Sequence, residues 1–99
     1  MRLEPREGQE IYVTLDEVFD FKKVEEFRRC YEQINAAQYK SVAINFAQTR
    51  YMDSSALGIL LDVQSHFKMH QVPVRIINVN DQIKKILAIS RFDQRFSIQ

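Results

Sequence analysis

Tyr51-Met52-Asp53-Ser54-Ser55-Ala56-Leu57-Gly58-Ile59-Leu60-Leu61 is the stretch on which the reading of this chain turns. Its first residues close a strand-like segment, its middle turns through small polar residues, and its end is an apolar helical run. An α-helix begins with N–H groups that have no intrahelical acceptor, and Asp and Ser are residue types that satisfy them. The same terminus favours negative charge, through the helix dipole and the free N–H groups, so a phosphate can be carried there. Ser54 is therefore a candidate switch as well as a capping residue, and the rest of the chain reads as scaffold and docking surface for it.

Working outward, Val42, Ile44 and Phe46 alternate with Ala43 and Asn45, a strand whose second face is small and therefore expected to be covered on both sides. The helix after the motif is predicted from Ser54 or Ser55 to about Met69. Leu57, Leu60, Leu61, Gln64 and Phe67 should lie along one side, and Asp62, Ser65, His66 and Met69 towards another. Gln71-Val72-Pro73 ends it, and the β-branched run from Val72 to Val79 predicts another strand. Asn78-Val79-Asn80-Asp81 supplies a turn and a cap, and Ile83, Ile86, Leu87 and Ser90 form a helical stripe. The spaced apolar residues of the tail, Phe92, Phe96 and Ile98, predict that it packs back on the domain.

Towards the N-terminus, Ile11, Val13 and Leu15 alternate with Tyr12 and Thr14, again a strand. Residues 2–7 carry Pro5, which suits an edge strand or a loose arm, and Gly8 offers a turn. Residues 21–36 read as a helix capped by Asp20, with Val24, Phe27, Tyr31 and Ile34 on one face and Lys, Arg and Glu on the others. Strands alternating with helices imply a largely parallel sheet with crossover helices, opened by an antiparallel pair. Ninety-nine residues are few for a three-layer fold. The expectation is a single α/β domain over residues 1–99, a small sheet with helices mainly on one face.

Fourteen basic and thirteen acidic residues, interspersed, leave no basic footprint for nucleic acid. One cysteine excludes an internal disulfide, the first eight residues lack the apolar core of a signal peptide, and no apolar run is long enough to span a membrane. A cytoplasmic domain is expected. His66 and His70 have the i, i+4 spacing of metal ligands, but no third ligand accompanies them, so they read as a solvated pair. Cys30 reads as a thiol at the core edge, and Asp16, Glu17 and Asp20 as a solvated loop and cap. Without a glycine-rich phosphate loop, nucleophile elbow or zinc pattern, neither an enzyme nor a bound cofactor is expected.

The motif Met52-Asp53-Ser54-Ser55-Ala56-Leu57-Gly58-Ile59-Leu60-Leu61 closely resembles the signature of the STAS domain of bacterial anti-sigma factor antagonists: an apolar strand, Asp-Ser-Ser or Asp-Ser-Thr, Gly-Leu-Gly and an aliphatic run. The order of elements fits over nearly the whole chain. The resemblance implies a small curved mixed sheet with helices, and phosphorylation of Ser54. It also implies a docking site formed by Asp53, Ser55, Ala56, Leu57 and Gly58, with a contribution from Asp20. The implied partners are an anti-sigma factor or serine kinase with a histidine-kinase-like ATPase fold, which would phosphorylate Ser54, and a PP2C-type phosphatase that reverses it. Ala56 stands where the family often has Gly, Asn45 where many members have Asp, and Glu17 where Gly is common; the last two are expected to bear on partner choice. Two other readings stay open: a structural STAS subunit of a transporter or scaffold assembly without phosphorylation, and a nucleotide-type ligand at the helix start.

Overall fold

Strand alternation sorts the chain into two faces. A computed structural model describes residues 1–99. The five-stranded sheet runs in the order β1 (Arg2–Arg6), β2 (Glu10–Thr14), β4 (Ser41–Asn45), β6 (Val74–Ile77), β7 (Ser97–Ile98). β1 and β2 are antiparallel and every other pair in this sheet is parallel. Of the two alternatives for residues 2–7 the edge strand is found, over Arg2–Arg6, with Pro5 opposite Ile11 on the edge and Glu7 already in the turn. Gly8 and Gln9 both adopt positive φ in the turn between β1 and β2.

The register places Leu3, Val13, Ile44, Ile76 and Ile98 in one row across all five strands. That row faces the helices. Phe27 and Tyr31 of α1 (Val24–Glu32), Ala56, Ile59, Leu60, Val63 and Phe67 of α2 (Ser54–Lys68), and Ile83 and Leu87 of α3 (Asp81–Ile89) share one apolar cluster with the row's central residues Val13, Ile44 and Ile76. The next row, Tyr12, Ala43 and Arg75, lies on the face without helices. Ala43 is wholly buried there. Its flanking neighbours in register are the long Tyr12 and Arg75, and Arg75 reaches over β4 to Glu10 at 2.7 and 2.8 Å. The second face of β4 is thus closed by side chains of the adjacent strands rather than by another layer.

Several predicted boundaries shift. The segment 21–36 is not one helix: a 3-10 turn, Phe21–Lys23, precedes α1, which stops at Glu32. Asn35 then caps a second short turn, Ala36–Gln38, by accepting from the Ala37 N–H, a local bond that competes with helix continuation. Ile34 is buried even so. The strand expected over Val72–Val79 is shorter. Pro73 has no N–H to give a ladder, and Asn78 takes a left-handed φ that ends the strand. The stripe of α2 is rotated from the predicted one: Ile59 and Val63 are buried, while Leu57, Leu61 and Gln64 are only partly so. The tail packs back through Phe92 and Phe96, and also adds β7.

Candidate functional site

The motif sits at the end of the sheet where β4 finishes. Leaving β4, the chain turns at Thr49, whose hydroxyl donates to the Asp16 carbonyl at 2.8 Å. The Arg50 N–H donates to the Glu17 carbonyl at 2.8 Å. These bonds seat a second, two-stranded sheet in which β3 (Val18–Phe19) runs parallel to β5 (Tyr51–Met52). Phe19 and Met52 point into the core, while Val18 and Tyr51 stay exposed. β5 delivers Asp53 in an extended conformation to the start of α2.

Asp53 is the N-cap. One carboxylate oxygen accepts from the N–H groups of Ser55 at 2.9 Å and Ala56 at 3.3 Å. The other accepts from the Phe21 N–H at 3.2 Å, from the turn before α1. A single carboxylate therefore caps α2 and fastens the neighbouring turn to it. Asp20 caps that turn, accepting from the Lys22 N–H at 3.0 Å. With capping done by Asp53, Ser54 is the first helical residue and is exposed. Ser55 and Gly58 are exposed beside it, and Leu57 is partly buried. A Cβ placed on Gly58 would meet nothing within 4 Å.

Ala56 departs from its expected place in the docking surface. Its side chain is fully buried under α2, because the cap orients the first turn so that this position faces the core. Its small size seats the helix against the core. Asn45 is likewise 9% exposed and structural. Its amide donates to the Thr14 hydroxyl at 3.2 Å, and its carbonyl oxygen accepts from the Ala47 N–H at 3.1 Å and the Asn78 amide at 2.9 Å. It clamps the ends of β2, β4 and β6. Glu17 has an exposed side chain at the motif's end of the sheet.

Val18, Phe21 and Tyr51 were not among the site residues singled out in the sequence. They are 39%, 63% and 53% exposed, among the most exposed large apolar residues of the chain, and they border the start of α2. Large apolar side chains left open together mark interaction surfaces. The sequence did not mark Phe21 as open, since it stands three residues before Val24 at the spacing of the apolar stripe; the 3-10 turn over Phe21–Lys23 breaks that continuation.

The remaining candidates lie elsewhere. His66 is not solvated as expected. Its ring meets Tyr31 and Phe67 edge-on at centroid distances of 5.1 and 4.9 Å, while His70 is exposed. Cys30 lies half-buried at the core edge, and burial pushes its thiol pKa up. No helix is long and apolar enough to cross a membrane.

A model of the STAS domain matches residues 3–99. The chain belongs to the STAS domain family. An STAS-domain containing protein of Pseudomonas aeruginosa (strain UCBPP-PA14) is 35% identical over 92 residues, covering 93% of this chain and 90% of the relative. The STAS fold is also that of the anti-sigma factor antagonist SpoIIAA of Bacillus in its unphosphorylated form. The two superpose with a TM-score of 0.74 at 19% identity over 99% of this chain and 86% of the other. The phosphorylated form of SpoIIAA gives 0.73, also at 19% identity, over 99% and 89%. A sulfate transporter family protein from Wolinella succinogenes gives 0.80 at 12% identity over 91% and 73%. At such identities the likeness is one of fold, and it spans a regulatory and a transport setting.

Proposed function

We propose that this STAS domain is a phosphorylation-switched, non-enzymatic protein-binding regulator of the anti-sigma factor antagonist type, working in the cytoplasm. Unmodified, it would bind an anti-sigma factor or serine-kinase-type regulator and release that protein's client. Phosphorylation of Ser54 by a kinase with a histidine-kinase-like ATPase fold would inactivate it, and a PP2C-type phosphatase would restore it. The observation that carries this reading is the position of Ser54: exposed at the first turn of α2, outside the capping bonds, and bordered by the open side chains of Val18, Phe21 and Tyr51.

The physics follows from that placement. A phosphate adds about −1.5 to −2 charges at neutral pH. On Ser54 it would stand at a helix N-terminus, which tolerates negative charge, but beside the Asp53 carboxylate, which repels it. The fold has no need of the Ser54 hydroxyl. A partner covering the apolar rim would have to desolvate the phosphate, so binding should be lost while the domain stays folded. Asp20, Asp53, Ser55, Leu57 and Gly58 would shape the contact, with Ala56 supporting it from beneath.

The test is intact mass and phosphosite mapping on protein isolated from its native host, with and without phosphatase, paired with partner binding by Ser54→Ala and Ser54→Asp. A phosphatase-sensitive phosphate on Ser54, tight binding by Ser54→Ala and weak binding by Ser54→Asp are expected. Equal affinity of the two variants would sink the switch. The likeness to the Wolinella transporter family protein favours a second reading, a constitutive STAS subunit. It predicts stable co-purification with one partner and no phosphate under any growth condition.

A further inference from the structure

The largest cavity of the domain lies at the other end of α2, far from Ser54. It is a groove of about 690 Å³ between the last turns of α2, the start of β6 and the strand β7. Its charged lining is Lys68, Arg75 and Arg95, with no acidic residue, in a chain whose net charge is only +1. Arg75 is engaged by Glu10 across the sheet. Lys68 and Arg95 form no ion pair within the chain.

Their convergence is built into the fold. Gln64 and Lys68 are four residues apart on α2 and share a helix face. The Gln64 side-chain amide donates to the carbonyl of Arg95, tying the tail to that face. The two free cations therefore flank one groove, with the amides of Gln64 and Gln71 and the hydroxyl of Ser97 as further donors. Val72, Pro73 and Val74 give it an apolar floor. The C-terminus of α2 carries a partial negative charge that opposes an anion. That effect is blunted, because the carbonyls of Ser65, Phe67 and Lys68 accept from Met69, His70, Val72 and Gln71 as the helix closes. Two full positive charges outweigh the remainder.

We infer that this groove is a binding site for a small phosphate-bearing molecule. The phosphate oxygens are met by Lys68 and the guanidinium of Arg95, and the body of the ligand lies on Val72, Pro73 and Val74. Arg and Lys are the side chains suited to phosphate oxygens, and the groove has the volume of a small-molecule site. It lies at the opposite end of α2 from Ser54.

The test is a titration of the full chain with inorganic pyrophosphate, followed by backbone amide NMR. Saturable shifts centred on Gln71, Val72, Val74, Arg75 and residues 95–97 are expected at ligand concentrations up to about 10 mM, the range accessible to millimolar binding. Ser54 should not respond. The doubly substituted Lys68→Gln, Arg95→Gln chain should bind at least about 10-fold more weakly, which is a 1.4 kcal/mol difference. Both residues are exposed, and an unchanged spectrum elsewhere will show that the variant folds. Absence of saturation, or shifts of equal size in the variant and at basic residues throughout the chain, would overturn the site. Citrate run in parallel tests the chemistry: binding of citrate and not pyrophosphate would also overturn a phosphate site.

Discussion

Gly58→Ala separates the demands of folding from those of docking. Gly58 occupies the fifth position of α2, in the helix interior and on its exposed side. Glycine there costs about 0.8–1 kcal/mol relative to alanine, since its backbone loses more freedom on folding. The structure offers no compensation: an added Cβ finds open space. Gly58→Ala should therefore stabilise the isolated domain by up to about 1 kcal/mol, a rise in Tm of roughly 4–8 °C for a domain of this size. If a partner's backbone comes to rest on the first turns of α2, the same methyl stands in its way. Overpacking a fitted contact costs about 1–3 kcal/mol, or a loss of roughly 5- to 150-fold in affinity. Thermal denaturation followed by circular dichroism gives the first quantity. Titration calorimetry against the partner captured by the unmodified domain gives the second. A variant that is more stable and binds equally well refutes the placement of Gly58 in the contact. A lowered Tm refutes the claim that the helix surface is open at that point.

Asp53→Ala removes acceptors for three N–H groups on two segments, so urea denaturation should show a loss of about 1–2 kcal/mol, whereas Asp53→Asn keeps one oxygen for the Ser55 and Ala56 N–H groups but turns an NH2 towards the Phe21 N–H, and should recover only part of that loss. Phe21→Ala and Tyr51→Ala alter exposed rings; each should leave stability within about 0.5 kcal/mol and weaken partner binding by more than about 1 kcal/mol, and unaltered affinity in both would place the docking surface elsewhere. The Arg75 guanidinium holds the Glu10 carboxyl below its ordinary range, with the Ser41 hydroxyl assisting. A pKa lowered by folding contributes stability that is present above the unfolded value and lost as pH falls from about 4.3 towards the folded value, so Glu10→Gln should flatten the acid limb of a stability–pH profile. Asn45→Asp keeps the shape but loses the amide donor. The Thr14 hydroxyl already donates to Glu4 and cannot serve a second carboxylate, so a destabilisation of about 1–3 kcal/mol is expected by urea melts.

Period-2 alternation made β2 and β4 legible from the sequence, because in each strand one face meets helices and the other does not. The helix after Asp53 was legible through its cap, and so was its start at Ser54. The signal failed where tertiary contacts decide. β7 is two residues long and exists because Ile98 completes the row begun at Leu3; nothing local in Ser97-Ile98 requires a strand. The pairing of Val18-Phe19 with Tyr51-Met52 was hidden for the same reason, since two residues carry no period. The stripe of α2 misled because Leu57 and Leu61 are as apolar as Ile59 and Val63, and a helix apolar over most of its surface does not announce which side faces the sheet. Asn45 and Ala56 invited a functional account through their chemistry and position, and their burial gives them structural work instead.

What the Ser54 end of the domain shows is a division between groups that hold the fold and groups that remain free. The start of α2 is held by Asp53, by the pairing of β3 with β5 and by the bonds from Thr49 and Arg50 to the Asp16–Glu17 backbone. None of these uses Ser54, Val18, Phe21 or Tyr51 as a side chain. A surface with that property can change its charge without loss of the scaffold. The free energy of a modification there then falls on binding, where a partner must desolvate it, rather than on folding, where water continues to solvate it. A serine in the cap position itself would not have this freedom, since a phosphate there would compete with the capping bonds. Placing the carboxylate at the cap and the hydroxyl one residue later is what makes a clean switch physically possible at this site.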